Sequence, residues 1–162
     1  MAVTAHMFPE AQQALASKSF NLSSDALFVL LVATGTFTFG ATPYGYTKVS
    51  QFMAGDGTDG ALVEVSTAGT AYARQALTSV TLATAGLVTT LGCANPTWTA
   101  ATISAKYALF FDAGSGGTGV TANDASTNLL LCYWDFGGVQ ASSAGTFAVQ
   151  VNSSGLCTFT AS

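Results

Sequence analysis

The sequence predicts a mainly β protein, an antiparallel β-sandwich or barrel of about eight strands with a short N-terminal helical arm. Three observations carry this. From Asp25 onward, apolar residues come in strand-length runs or alternate with polar ones. Gly- and Ser-rich segments separate these runs, as turns separate short strands. Helix formers concentrate in one place only, just after the start.

That place is Phe8-Pro9-Glu10-Ala11-Gln12-Gln13-Ala14-Leu15-Ala16, with Pro9 and Glu10 where a first turn favours them. A helix is expected there, ending near Ser17. Its apolar face of Phe8, Ala11 and Leu15 is too small to hold it alone, so it must dock on this domain or on a neighbouring subunit. Residues 1–24 therefore read as an arm that serves assembly more than domain stability, and residues 25–162 as the sandwich domain.

Within the domain, Ala26 to Ala33 is apolar on both alternating faces, as a strand covered on both sides would be. Gln75 to Ala83 and Leu87 to Gly92 read as strands around Thr84-Ala85-Gly86. Ile103 to Phe111 alternates, with Ile103, Ala105, Tyr107, Leu109 and Phe111 inward and Ser104 and Lys106 outward. Leu129 to Phe136, Thr146 to Val151 and Leu156 to Thr160 complete the set. Val151-Asn-Ser-Ser-Gly155 predicts a hairpin loop with Gly155 left-handed, pairing Val151 with Cys157 and Val149 with Phe159. The expected core includes Phe28, Leu30, Val32, Tyr107, Leu109, Leu131, Tyr133, Phe147, Val149 and Phe159.

Charge narrows the function. Only 12 of 162 side chains are charged, 7%, against roughly 25% in an ordinary soluble domain. Mean hydropathy is positive at +0.45. Such a surface is poorly protected against association, so the chain reads as part of an assembly. Lys18, Lys48, Arg74 and Lys106 are scattered singly, which argues against a nucleic-acid partner. The longest clean apolar run, Ala26 to Ala33, falls short of the about 20 residues a membrane helix needs. Met1 to Ser17 has neither the basic start nor the apolar stretch of a signal peptide. Cys93, Cys132 and Cys157 are odd in number without C-x-x-C spacing, and read as half-buried thiols in a reducing compartment, with one disulfide left open.

The chemical motifs give way to plainer readings. Gly114-Ser-Gly-Gly-Thr-Gly119 spells G-x-G-x-x-G, but Val120 to Asp124 does not open a helix. Asp56, Asp59 and Glu64 break the calcium-loop pattern at Thr58 and Gly60. The single histidine, His6, lies in the arm, where a triad would be unusual and a tag or arm packing explains it more simply. Asp112 and Asp135 are conceivable as a glycosidase pair, yet sit at strand ends where Asp bonds turn amides. No catalytic residue, cofactor or metal ligand is assigned. Trp98, Trp134, Tyr44 and Tyr46 could stack on sugars, although Trp134 alternates with Cys132 and Phe136, which argues for burial in the core or a subunit interface. The candidate assembly contacts are Phe8, Leu15, Tyr44, Tyr46, Phe52, Trp98 and Trp134.

Several segments resemble a family of small β-rich virion proteins of tailed bacteriophages. These are Trp98-Thr-Ala-Ala-Thr-Ile-Ser-Ala-Lys-Tyr107, Leu130-Leu-Cys-Tyr-Trp-Asp-Phe-Gly137, Ser143-Ala-Gly-Thr-Phe147, Val151-Asn-Ser-Ser-Gly155 and the opening Val3-Thr-Ala-His-Met7. The resemblance spans most of the chain, is weakest from Phe37 to Ala68, and departs from the family's aliphatic residues at Cys132 and Trp134. It implies a noncatalytic head decoration or minor capsid protein, made in the host cytoplasm and carried on the capsid surface. The partners expected are the major capsid protein and copies of itself, and the charge-poor surface together with the docking-dependent arm points to a homotrimer at local three-fold positions. A tail-associated structural protein is the alternative, and a host- or glycan-binding module of the virion the third.

Overall fold

Two long antiparallel strands, β7 (Thr97–Asp112) and β8 (Leu129–Ala148), form the spine of the protein. The computed structural model describes residues 4–17, 19, 21–34, 47–54, 62–114 and 128–160. Before the spine come β1 (Thr4–Met7), α1 (Pro9–Ala16), β2 (Leu27–Thr34), α2 (Val49–Ala54), β3 (Val63–Glu64), β4 (Gln75–Ala76), β5 (Thr81–Ala85) and β6 (Val88–Gly92). After it comes β9 (Cys157–Thr160). The main sheet runs β1-β8-β7-β2-β3, with β4 sharing the outer edge of β2, and the second sheet runs β5-β6-β9. All pairings are antiparallel, giving an unequal β-sandwich.

The expected central strand is there. β2 pairs with β7 along most of its length, and Leu27 and Val29 to Val32 are buried. β7 alternates near its start, where Ile103 and Ala105 are buried and Thr102 and Ser104 exposed. From Tyr107 to Asp112 every residue is buried, because layers cover both faces there. On one face the second sheet packs down: the Trp134 indole N–H donates to the Leu156 carbonyl at 2.8 Å, and Phe110 meets Trp134 edge-on at 5.6 Å. On the other, Phe8 packs on Tyr133 at 5.7 Å and brings α1 with it. Of the expected core, Phe28 and Phe159 are only half-buried, and the rest are buried.

Residues 1–24 are not peripheral, which corrects the expected arm. β1 pairs with β8 from Thr4↔Asp135 to Met7↔Cys132. Phe8 has no exposed surface, and its N–H donates to the Leu131 carbonyl. The helix stands where expected, but it docks on this domain through Phe8 and Ala11. The physical reason is that β8 has a free edge beside Tyr133, and an extended tetrapeptide closes it.

Three strand boundaries also differ. Leu129 to Ala148 is one strand, not two, because β7 supplies a ladder through the Gly- and Ser-rich middle. Bulges absorb the misfit: Ala101 faces Gly145 and Ile103 faces Ser142, with Ala144 left-handed at φ 46°. Residues 75–83 divide between β4 in the main sheet and β5 in the second, with Ser79 at φ 52° bending the chain between them. The β5–β6 turn is Gly86-Leu87, and Gly86 takes φ 60° as the first position of a two-residue hairpin loop requires.

The C-terminal turn forms as expected, but the hairpin does not. Gly155 is left-handed, and its N–H donates to the Asn152 carbonyl at 2.9 Å. However, Val151 donates to Asn95 Oδ1, and β9 pairs with β6 as Leu91↔Cys157 and Thr89↔Phe159. The turn therefore carries the chain from one sheet to the other, and the pairs Val151–Cys157 and Val149–Phe159 are not made.

Candidate functional site

Polar chemistry concentrates first at a bridge over β2. Glu64, at the end of β3, accepts from Arg74 Nε at 2.9 Å and Arg74 Nη2 at 2.6 Å. The Tyr72 hydroxyl donates to the same carboxylate at 2.8 Å and accepts the Leu31 N–H at 2.8 Å. The Arg74 guanidinium also lies over the Phe111 ring. Burial, then the Glu64 charge, pushes the Tyr72 phenol well above its usual range, so it remains a neutral donor. The hydrogen bond that Arg74 donates to Glu64 raises its pKa further. Every group in this network is occupied in holding residues 64–77 across β2. Glu64, considered for a calcium loop, is thus an ion-pair partner, whereas Asp56 and Asp59 lie outside the described residues. Sequence reasoning missed this network; the signal was Tyr72 and Arg74 two residues apart on one side of an extended segment.

Asp112 and Asp135 do not converge. Asp135 faces Tyr107 across the ladder, five residues along β7 from Asp112, so roughly 16 Å separates them at strand rise. A glycosidase pair needs about 5–9.5 Å. Asp112, at the end of β7, accepts the Gly114 N–H at 2.7 Å, whereas Asp135 lies within β8 and not at a strand end, and accepts the N–H of left-handed Gly137 at 2.8 Å. Asp112 has a different neighbour, Asp25. Burial first, then the charge and hydrogen bond of Asp25, push its carboxyl up to about 6, against the lowering donation from Gly114. The folded protein therefore binds this proton more tightly than the unfolded chain, where Asp titrates near about 3.9. The resulting stabilisation is full below about pH 4 and is lost as pH rises through about 6. Relative to wild type, Asp112→Asn should flatten the stability difference between about pH 4.5 and about pH 7.5 by about 2 kcal/mol. Urea unfolding at the two pH values reads this directly, and an unchanged difference would remove Asp112 as the cause.

The three cysteines are free thiols, with Cys93 half-buried and Cys132 and Cys157 buried. Burial raises Cys93 to about 11, and burial with the Cys157 hydrogen bond raises Cys132 well above its usual range. None of these two is poised as a thiolate nucleophile. His6 stacks on Tyr133 at 4.7 Å, as arm packing predicts. No group of three or more metal-ligating side chains occurs among the described residues. No helix among them is long and apolar enough to cross a membrane. The G-x-G-x-x-G segment lies outside the described residues apart from Gly114.

The assembly candidates divide sharply. Trp98 is buried, donates its indole N–H to the Ala73 carbonyl at 2.7 Å, and packs on Tyr72 and Phe147. Trp134 and Phe8 are core residues of the sandwich. Phe8 and Trp98 are corrected from assembly contacts to core, and for Trp134 the core alternative holds over the interface one, because each finds its partners within the chain. Leu15 is half-buried against the core. Tyr44, Tyr46 and the Phe52 side chain lie outside the described residues.

Two stretches of the chain carry no charge. No Asp, Glu, Lys or Arg occurs at 75–105 or at 136–162. The whole second sheet and the distal part of the β7–β8 ribbon fall within these stretches. β5 is exposed along its full length, and Leu82, Leu87 and Val139 are 45%, 68% and 58% exposed. A hollow of about 460 Å³ beside it is lined by Thr81, Ala83, Thr90, Asn152 and Gly155 among others, with no charged side chain. Chemically this surface offers apolar contact and backbone hydrogen bonding. The chain matches no family model, no curated protein and no solved structure at a significant level.

Proposed function

We propose that this chain is a noncatalytic structural protein of a tailed-bacteriophage virion, docking on the outer face of the head as a decoration protein. The observation that carries the reading is the pair of uncharged stretches, 75–105 and 136–162, in which Leu82, Leu87 and Val139 are exposed with no ionic side chain in either. Surfaces of this kind lower their free energy by being covered, and ionic groups at their centre would oppose that. The polar groups of the described residues point the same way, since the Tyr72–Glu64–Arg74 network is spent on internal ties. The phage-like segments supply the particle, and the charge distribution supplies the contact surface.

The test is incubation of the purified chain with heads of its own phage that lack it, followed by density averaging. Density over the shell at lattice-symmetric positions is the expected outcome. Density along the tail would transfer the protein to the alternative, a tail-associated structural role. Heads and tails both left bare at saturating protein would remove the virion reading.

A further inference from the structure

The free edge of the second sheet supports an inference of its own. Among the described residues β5 pairs only with β6, so one row of its N–H and C=O groups has no described strand beside it. Protein edges are usually blunted by Lys, Pro, a bulge or a covering segment. β5 reads Thr81-Leu-Ala-Thr-Ala85, with no charge and no proline, and its register with β6 is unbroken. The opposite edge of the same sheet, β9, lies beside β1 instead.

We infer that β5 pairs antiparallel with β5 of a second copy, about a two-fold axis at Ala83. The closing pair of the hairpin, Ala85↔Val88, fixes the alternation of the β5–β6 ladder. The N–H and C=O of Leu82 and Thr84 then point to the free side. Across the axis Leu82 would exchange hydrogen bonds with Thr84 of the copy, and Thr84 with its Leu82. Ala83 would face its own counterpart in a non-hydrogen-bonded pair, where Cα atoms approach to about 4.5 Å and side chains crowd. Alanine fits that spacing. Thr81 would face Ala85, and no pair in the register sets like charges together.

The occupant is a second copy because a two-fold axis places each residue near its own kind, and an ionic strand would repel itself there. Absence of charge throughout 75–105 removes that repulsion from the flanking residues as well. The product is a continuous six-stranded sheet across two protomers, with Leu82 of each covered by the other. Free in solution the unit is then a dimer, and a three-fold arrangement would come from the surface it docks on. The inference does not depend on the virion reading.

Sedimentation of the full chain over a micromolar to near-millimolar series tests it. A monomer–dimer equilibrium is expected. Ala83→Lys, at an exposed position, should weaken dimerisation at least about tenfold by opposing two ammonium groups. Ser143→Lys, exposed on β8 outside the second sheet, should leave it unchanged. Hydrogen exchange on the wild type gives an independent reading, with the Leu82 and Thr84 amides slowing as concentration rises. A chain monomeric throughout, an oligomer indifferent to Ala83→Lys, equal weakening by Ser143→Lys, or concentration-independent exchange at both amides would each overturn the pairing.

Discussion

Deleting residues 1–24 is expected to abolish the cooperative unfolding transition of the protein. The segment contributes an edge strand of four register pairs to the main sheet. It also supplies Phe8, fully buried against Tyr133, and Ala11. Truncating a buried Phe to Ala alone costs about 3–5 kcal/mol, against a total stability of about 5–15 kcal/mol for a typical domain. Removing the strand as well bares the edge of β8 and the Tyr133 face. Phe8→Ala is the graded version, and should lower the thermal midpoint by about 10 °C at the usual 2–4 °C per kcal/mol for this chain length. Circular dichroism melts of both variants check it. A deletion variant that melts cooperatively at the wild-type temperature would restore the picture of a dispensable arm.

That picture failed for an instructive reason. The helix over 9–16 was legible, since Pro9, Glu10 and the run of Ala and Gln are local signals. Which surface it docks on is not local. Nothing in Thr4-Ala-His-Met7 announces a strand, and only the vacant edge of β8, over 120 residues later, makes it one. β2 was legible because a strand covered on both faces is apolar at every position, and the burial of Leu27 and Val29 to Val32 follows from the residues themselves. The middle of β8 was not, because Gly137 to Gly145 has turn composition and becomes a strand only through β7. The surface was half legible. Low charge pointed to association, but Trp98 and Trp134 were the wrong residues to carry it. Their indole N–H groups find backbone carbonyls at Ala73 and Leu156, which lets a large polar-tipped ring be buried without cost to the hydrogen-bond balance. The open surface is made instead of Thr, Ala and Leu on β5, residues that carry no chemical signature.

Gly155→Ala should be a severely damaging single-methyl addition. Gly155 was expected to be left-handed, and it is, at φ 71°. A side chain there would cost about 1 kcal/mol for conformation alone. The greater effect is contact: an added Cβ would collide with the Leu91 carbonyl oxygen and lie 2.5 Å from Thr90 Cγ2. The Leu91 oxygen cannot retreat freely, because it accepts the Leu156 N–H at 2.7 Å at the point where the chain joins β6. Relief therefore requires moving β9 away from β6, and with it Leu156, whose carbonyl holds the Trp134 indole. A loss of about 3 kcal/mol or more is expected, the range for a strained overpacking change in a closed site. Gly86 is the control. It has the same sign of φ, at 60°, but nothing within 4 Å of an added Cβ. Gly86→Ala should cost only the conformational part, about 1 kcal/mol. Urea unfolding of the two variants separates strain from collision. Equal losses would mean that the close approach of Gly155 to β6 contributes nothing to how the two sheets are joined.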